Sequence, residues 1–245
     1  MCLIVFAWRI IPACPLIAAA NRDEFYARPA APAQWWEDYP QVYAGRDLEG
    51  GGTWLGVTRT GRFAALTNIR APDERRAGLP SRGTVVADYL RGDASAQDYI
   101  DQLRAADTDF NGFNLLVGDA DTLIWYSNRF PDDPRNGVPL VPGIYGLSND
   151  RLDASWPKVV RTKAQFASML CIGATEEAYF EMLTDTTQAS ECRLPKTGVS
   201  PELERTLSAV CINSPTYGTR VSTIVQLHAD RSVTLDERLL DTMMT

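Results

Sequence analysis

The chain has 245 residues, 45% of them apolar and 22% charged, with a net charge of −7 and a single histidine. This is the composition of a water-soluble globular protein with length for a substantial core, and its acidity argues against nucleic acid or an anionic membrane surface as a partner. No run of about 18 apolar residues occurs, so no stable membrane insertion is expected, and five scattered cysteines without a CxxC pair fit free thiols in a reducing cytoplasm and offer no structural zinc site.

The chain opens on Met1-Cys2. A small residue after the initiator methionine favours its removal, which would leave a thiol and a free α-amine, an amine with a pKa of about 7.7–8.0, on one residue. The alternative is a small hydrophobe opening a buried strand. The apolar run Leu3 to Trp8 is too short for a secretory signal and lacks a basic lead, so it reads as a strand.

Leu3–Ile10 and Leu16–Ala20 read as central strands bounded by Pro12 and Pro15. The second runs into the polar cluster Asn21, Arg22, Asp23, Glu24. A Pro- and Trp-rich excursion spans Arg28 to Tyr43, and a glycine-rich turn then leads through Thr53-Trp54 into a strand. That strand pairs with Arg62–Ile69 across Thr60-Gly61. Helices follow over Ser81–Leu90, with Ser81 as cap and Gly92 as stop, and over Ser95–Ala106. Asn114–Gly118 and Thr122–Ser127 read as strands, Trp156–Leu170 and Thr175–Leu183 as helices, and a looser stretch runs to about Leu207. Three strands close the chain: Ala209–Asn213, Val221–Leu227 and Ser232–Leu235. Blocks of hairpin-linked strands alternating with helix pairs predict an α+β fold with mostly antiparallel sheets and helices stacked on them, one domain over residues 1–245.

Three asparagine-bearing segments read as each closing a strand with a tight turn: Ala65-Leu66-Thr67-Asn68, Gly146-Leu147-Ser148-Asn149 and Phe110-Asn111-Gly112-Phe113-Asn114. Asparagine at a strand end is ordinarily turn chemistry. Beside a leading cysteine, the same amides are also candidates for holding an oxyanion.

These segments, with Ala19-Ala20-Asn21-Arg22-Asp23-Glu24-Phe25-Tyr26, Arg28-Pro29, Gly51-Gly52-Thr53-Trp54-Leu55-Gly56 and Tyr217-Gly218-Thr219-Arg220, make the chain resemble the NRDE family, also called the transport and Golgi organisation two family. The family is more distantly similar to N-terminal-nucleophile (Ntn) hydrolases of the penicillin V acylase and bile-salt hydrolase type. The resemblance implies a four-layer αββα sandwich. It places Cys2 at the nucleophile, Asp23 at the acid that orients the N-terminal amine, and Asn68 and Asn149 at the oxyanion side. The remaining motif residues Asn21, Arg22, Glu24, Arg28, Trp54, Asn114 and Arg220 form the expected ligand-binding set.

One departure stands out. Those hydrolases carry an arginine three residues before the aspartate, where this chain has Ala20. Arg22 lies beside Asp23, and neighbours on a strand point to opposite faces.

The family association with haem trafficking and with lipid or acyl-CoA handling implies a small-ligand carrier that requires no resident cofactor. Cys2 and His228 are the candidate axial ligands should haem be the cargo. The alternative is a cysteine amidohydrolase acting on C–N bonds.

Overall fold

The structure is a computed structural model and describes residues 2–106 and 108–240. In chain order its strands begin with β1 (Cys2–Ile11), β2 (Cys14–Phe25), β3 (Ala30–Trp35), β4 (Val42–Asp47), β5 (Leu55–Thr58) and β6 (Phe63–Asn68). Helices α1 (Gly83–Arg91) and α2 (Ala96–Ala105) follow, then β7 (Phe113–Gly118), β8 (Leu123–Ser127) and β9 (Gly143–Leu147). The chain continues through α3 (Pro157–Ile172), α4 (Glu176–Leu183) and α5 (Pro201–Thr206) to β10 (Tyr217–Leu227) and β11 (Val233–Leu239).

The strands form two antiparallel sheets, one ordered β11-β10-β2-β1-β9 and the other β3-β4-β5-β6-β7-β8. Alternation along β1 explains how they stack. Ile4, Phe6 and Trp8 point into the core between the sheets, where they meet Leu55, Val57, Phe63 and Trp125. Leu3, Val5 and Ala7 point the other way, onto Val159, Phe166 and Phe180 of α3 and α4. A strand buried on both faces reads as an unbroken apolar run, which is why β1 is so hydrophobic. On the second sheet, Ala64, Leu66, Leu115 and Val117 pack against Val86, Leu90 and Ile100 of α1 and α2. The layers are therefore helix, sheet, sheet, helix, the αββα sandwich.

Local chemistry sets the boundaries. Ser95 caps α2 by accepting the Asp98 N–H, and α3 has Pro157 in its first turn and a left-handed Gly173 at its end. Gly52 is required by contact, since a Cβ there would stand 2.3 Å from the Gly83 carbonyl at the start of α1. Among the described residues no helix is long and apolar enough to cross a membrane.

Three expectations need correction. Ser81 does not cap α1: the helix starts two residues later, behind Arg82, and the Ser81 carbonyl accepts from Thr84. The Arg28–Tyr43 excursion contains β3 and the start of β4. Pro32 falls inside β3, at the edge of its sheet and at the break in register between Ala31 and Gln34, a place where a ladder tolerates proline. Ala209–Asn213 is not a strand. Its apolar side chains are buried, but its backbone folds over the end of the first sheet, with the Cys211 N–H donating to Asp185 and the Ile212 carbonyl accepting from Thr219.

Candidate functional site

The site lies at one end of the sandwich, where the start of β1, the ends of β2, β6 and β9 and the start of β10 come together. Cys2 pairs with Arg22 across β1 and β2, and Asp23 pairs with Thr219 across β2 and β10. Alternation from Ile4 and Ala20, both in the inter-sheet core, sets Cys2 and Arg22 on the inter-sheet face. Asn21 and Asp23 take the helix-facing side with Ala19. Arg22 thus shares a face with the thiol despite its place beside Asp23 in the sequence. The family arginine missing at Ala20 has a positive neighbour in its stead.

The Cys2 thiol is buried, and burial raises its pKa, with the Asp23 charge acting in the same direction. Arg22 and the Asp23 backbone N–H oppose the rise. Asp23 is itself buried. It accepts the Thr219 hydroxyl at 2.6 Å, and its pKa is raised by burial against the pull of Lys158. Arg82, just before α1, lies within electrostatic reach of Cys2, Glu24 and Arg28, and burial pushes it down to about 10. It donates to the Gly112 carbonyl.

Asn68 and Asn149 meet at this end, and the Asn149 amide is committed to the backbone. Asn149 Nδ2 donates to the Asn68 carbonyl at 2.8 Å, while its Oδ1 lies 3.1 Å from the Ser148 hydroxyl. That hydroxyl is also 2.9 Å from the Cys2 carbonyl, so its one proton serves a single acceptor at a time. The Asn68 side chain is half-buried and makes no hydrogen bond among the described residues.

Asn114 is a clamp between the sheets. Its amide reaches Thr67 Oγ1 and the Ser148 and Asp150 carbonyls, and its oxygen accepts from the Trp125 indole. Asn21 likewise holds the Leu183 and Val210 carbonyls and accepts from Ser222. Arg28 grips Asp47 through two nitrogens, and Arg220 donates to the carbonyls of Phe25, Tyr26 and Arg28. Trp54 packs on the inter-sheet core. Glu24 stands 3.9 Å from Arg22.

His228 is not at this site. It follows Leu227, which pairs with Leu16, whereas Cys2 pairs with Arg22. Six residues of extended chain separate those levels, about 20 Å, so no single haem meets both proposed axial ligands. Met1, on which α-amine chemistry depends, lies outside the described residues.

Several site residues carry no motif in the sequence. Lys158 is 1% exposed, lines α3 beside Asp23, and its Nζ makes no hydrogen bond among the described residues. Burial pushes its pKa down to about 8, with Asp23 the main opposing charge. Lys158, Thr162 and Phe166 stand at i, i+4 and i+8, the buried stripe of α3, and that spacing is a readable signal. Arg70 and Glu204 form an ion pair at 2.7 Å with side chains 5% and 4% exposed. Glu204 also accepts from the Thr197 backbone and hydroxyl, and Arg70 lies over the Trp156 ring. Nothing in the spacing of the chain marks Glu204.

Residues 1–242 match the family model described as Transport and Golgi organisation 2. The chain is 37% identical to the Transport and Golgi organization protein 2 homolog of Bos taurus over 260 residues, spanning 97% of this chain and 92% of that one. It is 36% identical to the Homo sapiens homolog over the same shares of each chain. Among solved structures it is similar to the Caenorhabditis elegans N-acylethanolamine-hydrolyzing acid amidase ortholog, with a TM-score of 0.51 and 12% identity over 98% of this chain and 100% of that one. At that identity the likeness speaks for the fold alone, the Ntn-hydrolase sandwich.

Proposed function

Since the chain belongs to the Transport and Golgi organisation 2 family, we propose that it uses a hydrolase-type fold to hold a small anionic acyl ligand, an acyl-CoA or related lipid, at the Cys2 end of the sandwich. The supporting observation is the state of Cys2: a thiol kept protonated by burial, beside the fixed positive charges of Arg22 and Arg82. A cysteine nucleophile needs a thiolate and access, and an oxyanion hole needs donors aimed at empty space. Here burial disfavours the thiolate and the Asn149 amide is engaged with Asn68. Guanidinium groups are well suited to phosphate and carboxylate. Haem as cargo is supported only through propionate pairing with the same arginines, because a protonated Cys2 is a poor axial ligand and His228 is remote.

A second reading, a cysteine amidohydrolase, is favoured by one placement: the Asp23 backbone N–H meets the Cys2 sulfur while its carboxylate is oriented by Thr219. In that chemistry the Cys2 sulfur attacks an amide carbonyl and its proton passes through the α-amine to the leaving nitrogen. Water then releases the acyl group as the acid.

Titration with palmitoyl-CoA, and separately with haemin, tests the carrier reading. Saturable acyl-CoA binding is expected, weakened about tenfold by Arg22→Ala or Arg82→Ala through loss of a charge-assisted contact. Affinity for acyl-CoA equal in all three proteins would contradict it.

A further inference from the structure

Residues 184–210 make a long excursion between α4 and β10, and its two ends are pinned together. Asn21 on β2 donates to the Leu183 and Val210 carbonyls, and the Cys211 N–H donates to Asp185. Arg161 of α3 adds a bond to the Thr187 carbonyl and an ion pair with Asp185. Beyond this neck little holds the segment. No side chain from 184 to 203 is buried, and none joins a hydrophobic cluster. From Gln188 to Leu207 the one polar tie to the rest of the described residues is Glu204 to Arg70, at 2.7 Å. A long surface segment with so few buried contacts opens far more readily than the core.

Glu204 is thus a latch, and it closes over positive charge. The excursion supplies Glu204 and Leu207 to one wall of a cavity of about 10 Å³, room for a single water, and the body supplies Arg70, Trp156 and Lys158 to the other. Lys158 is 1% exposed, and its Nζ has no hydrogen-bond partner among the described residues. A buried ammonium is unfavourable unless compensated, so this one marks a place that an anion would fill. Arg70 lies over the Trp156 ring, and its backbone N–H donates to the Asn149 carbonyl, which ties this cradle to the strand ends of the Cys2 site. Glu204 is also gripped from its own side by the Thr197 N–H and hydroxyl. Its carboxylate therefore leaves with the excursion when that segment lifts.

We propose that Arg70 and Lys158 form a second binding site, for the carboxylate of an aliphatic acid. Residues 184–210 are its flap, and Glu204 is the internal carboxylate that fills the site while the flap is closed. Lifting the flap withdraws one carboxylate from Arg70 and uncovers Lys158, and the incoming carboxylate restores the charge that left. Trp156, Pro157 and Leu207 offer apolar contact to the first carbons of its chain. The site is independent of acyl-CoA binding through Arg22 and Arg82, so failure of that reading and failure of this one are separate results.

Lys163 and Lys196 are the other lysines of the chain, so pulse acetylation with an N-hydroxysuccinimide ester reads Lys158 against internal references. Glu204→Gln is expected to speed Lys158 acetylation at least about tenfold relative to the exposed Lys196, the effect of losing a charge-assisted bond. That gain should exceed any change in amide exchange of β1 and β2, which open only with the whole fold. Octanoate is expected to reverse the gain saturably, and to bind wild type at least about tenfold more weakly because it must displace Glu204. A folded Glu204→Gln protein whose Lys158 gains no more than β1 and β2 do would overturn the flap, and a gain that octanoate leaves untouched would overturn the site. Should that variant not fold, Arg70→Gln breaks the latch from the other side and leaves Glu204 able to reach solvent. The same rise in Lys158 acetylation is expected there, and an unchanged rate overturns the proposal equally.

Discussion

Cys2 and Arg22 stand directly opposite each other across the β1–β2 ladder, both on the face that meets the second sheet. The guanidinium therefore works against the burial that keeps the thiol protonated. Arg22→Met is expected to raise the thiol pKa further and to slow Cys2 alkylation at fixed pH about tenfold, one pH unit of lost thiolate. The rate is read from the mass of the amino-terminal peptide after a pulse of iodoacetamide. A rate equal to or above wild type would show that Arg22 does not act on the thiol.

Asn114 joins Thr67, the Ser148 and Asp150 carbonyls and the Trp125 indole at the seam of the two sheets. Asn114→Ala leaves the Trp125 indole N–H and the Asp150 carbonyl without that partner, while Thr67 and the Ser148 carbonyl keep each other, at about 1–3 kcal/mol for each group left fully dry. A loss of about 3 kcal/mol in urea unfolding is expected, with an unchanged m-value. A loss below about 0.5 kcal/mol, the range of ordinary surface substitutions, would mean that the clamp is redundant.

The Arg70–Glu204 pair is enclosed on both sides. Glu204→Ala takes the carboxylate from a buried guanidinium and is expected to cost about 3–5 kcal/mol, whereas replacing both partners with apolar side chains of similar volume is expected to recover most of the loss. A double variant no more stable than the single one, in the same chemical denaturation, would show that the pair contributes more than mutual charge compensation.

Much of this arrangement is legible in the chain without coordinates. The continuous apolar run Leu3–Trp8 marks a strand buried on both faces, and the hairpin across Thr60-Gly61 appears as β5 and β6. Asn68 and Asn149 stand at strand ends that meet, the Asn149 amide donating to the Asn68 carbonyl. What periodicity cannot give is the face on which Cys2 falls. That depends on register with β2, and it puts Arg22, rather than Asp23, beside the thiol on the inter-sheet side. Nor can it reveal that Asn114, Arg28 and Arg220 spend their polar groups on carbonyls and on Asp47, because such partners are distant in sequence. Lys158 is legible in principle from its place on the stripe with Thr162 and Phe166. Glu204, in a six-residue helix with no apolar face to betray it, is not.

The buried Lys158 also gives stability a pH dependence of definite sign. Its folded pKa of about 8 lies below the ordinary 10.5, so between those values the unfolded chain binds the extra proton and stability rises with pH. The contribution is complete above the unfolded value and is lost as pH falls toward 8, a difference on the order of 3 kcal/mol. Lys158→Met should therefore gain stability relative to wild type at pH about 7 and lose that advantage near pH about 10. Thermal unfolding of both proteins across this window checks it. A difference independent of pH would contradict the shifted lysine.

The central claim is that this end of the sandwich holds an acyl ligand without cleaving it, and the most direct test follows the fate of bound palmitoyl-CoA. Protein from its native host is incubated with an excess of the ligand while free CoA release and the intact mass of the protein are recorded together. The account predicts ligand bound at equilibrium, no sustained release of CoA and no acyl adduct on Cys2. Continuous release of CoA that disappears in Cys2→Ala, with a transient acyl mass on the amino-terminal peptide, would contradict it and establish Cys2 as a working nucleophile.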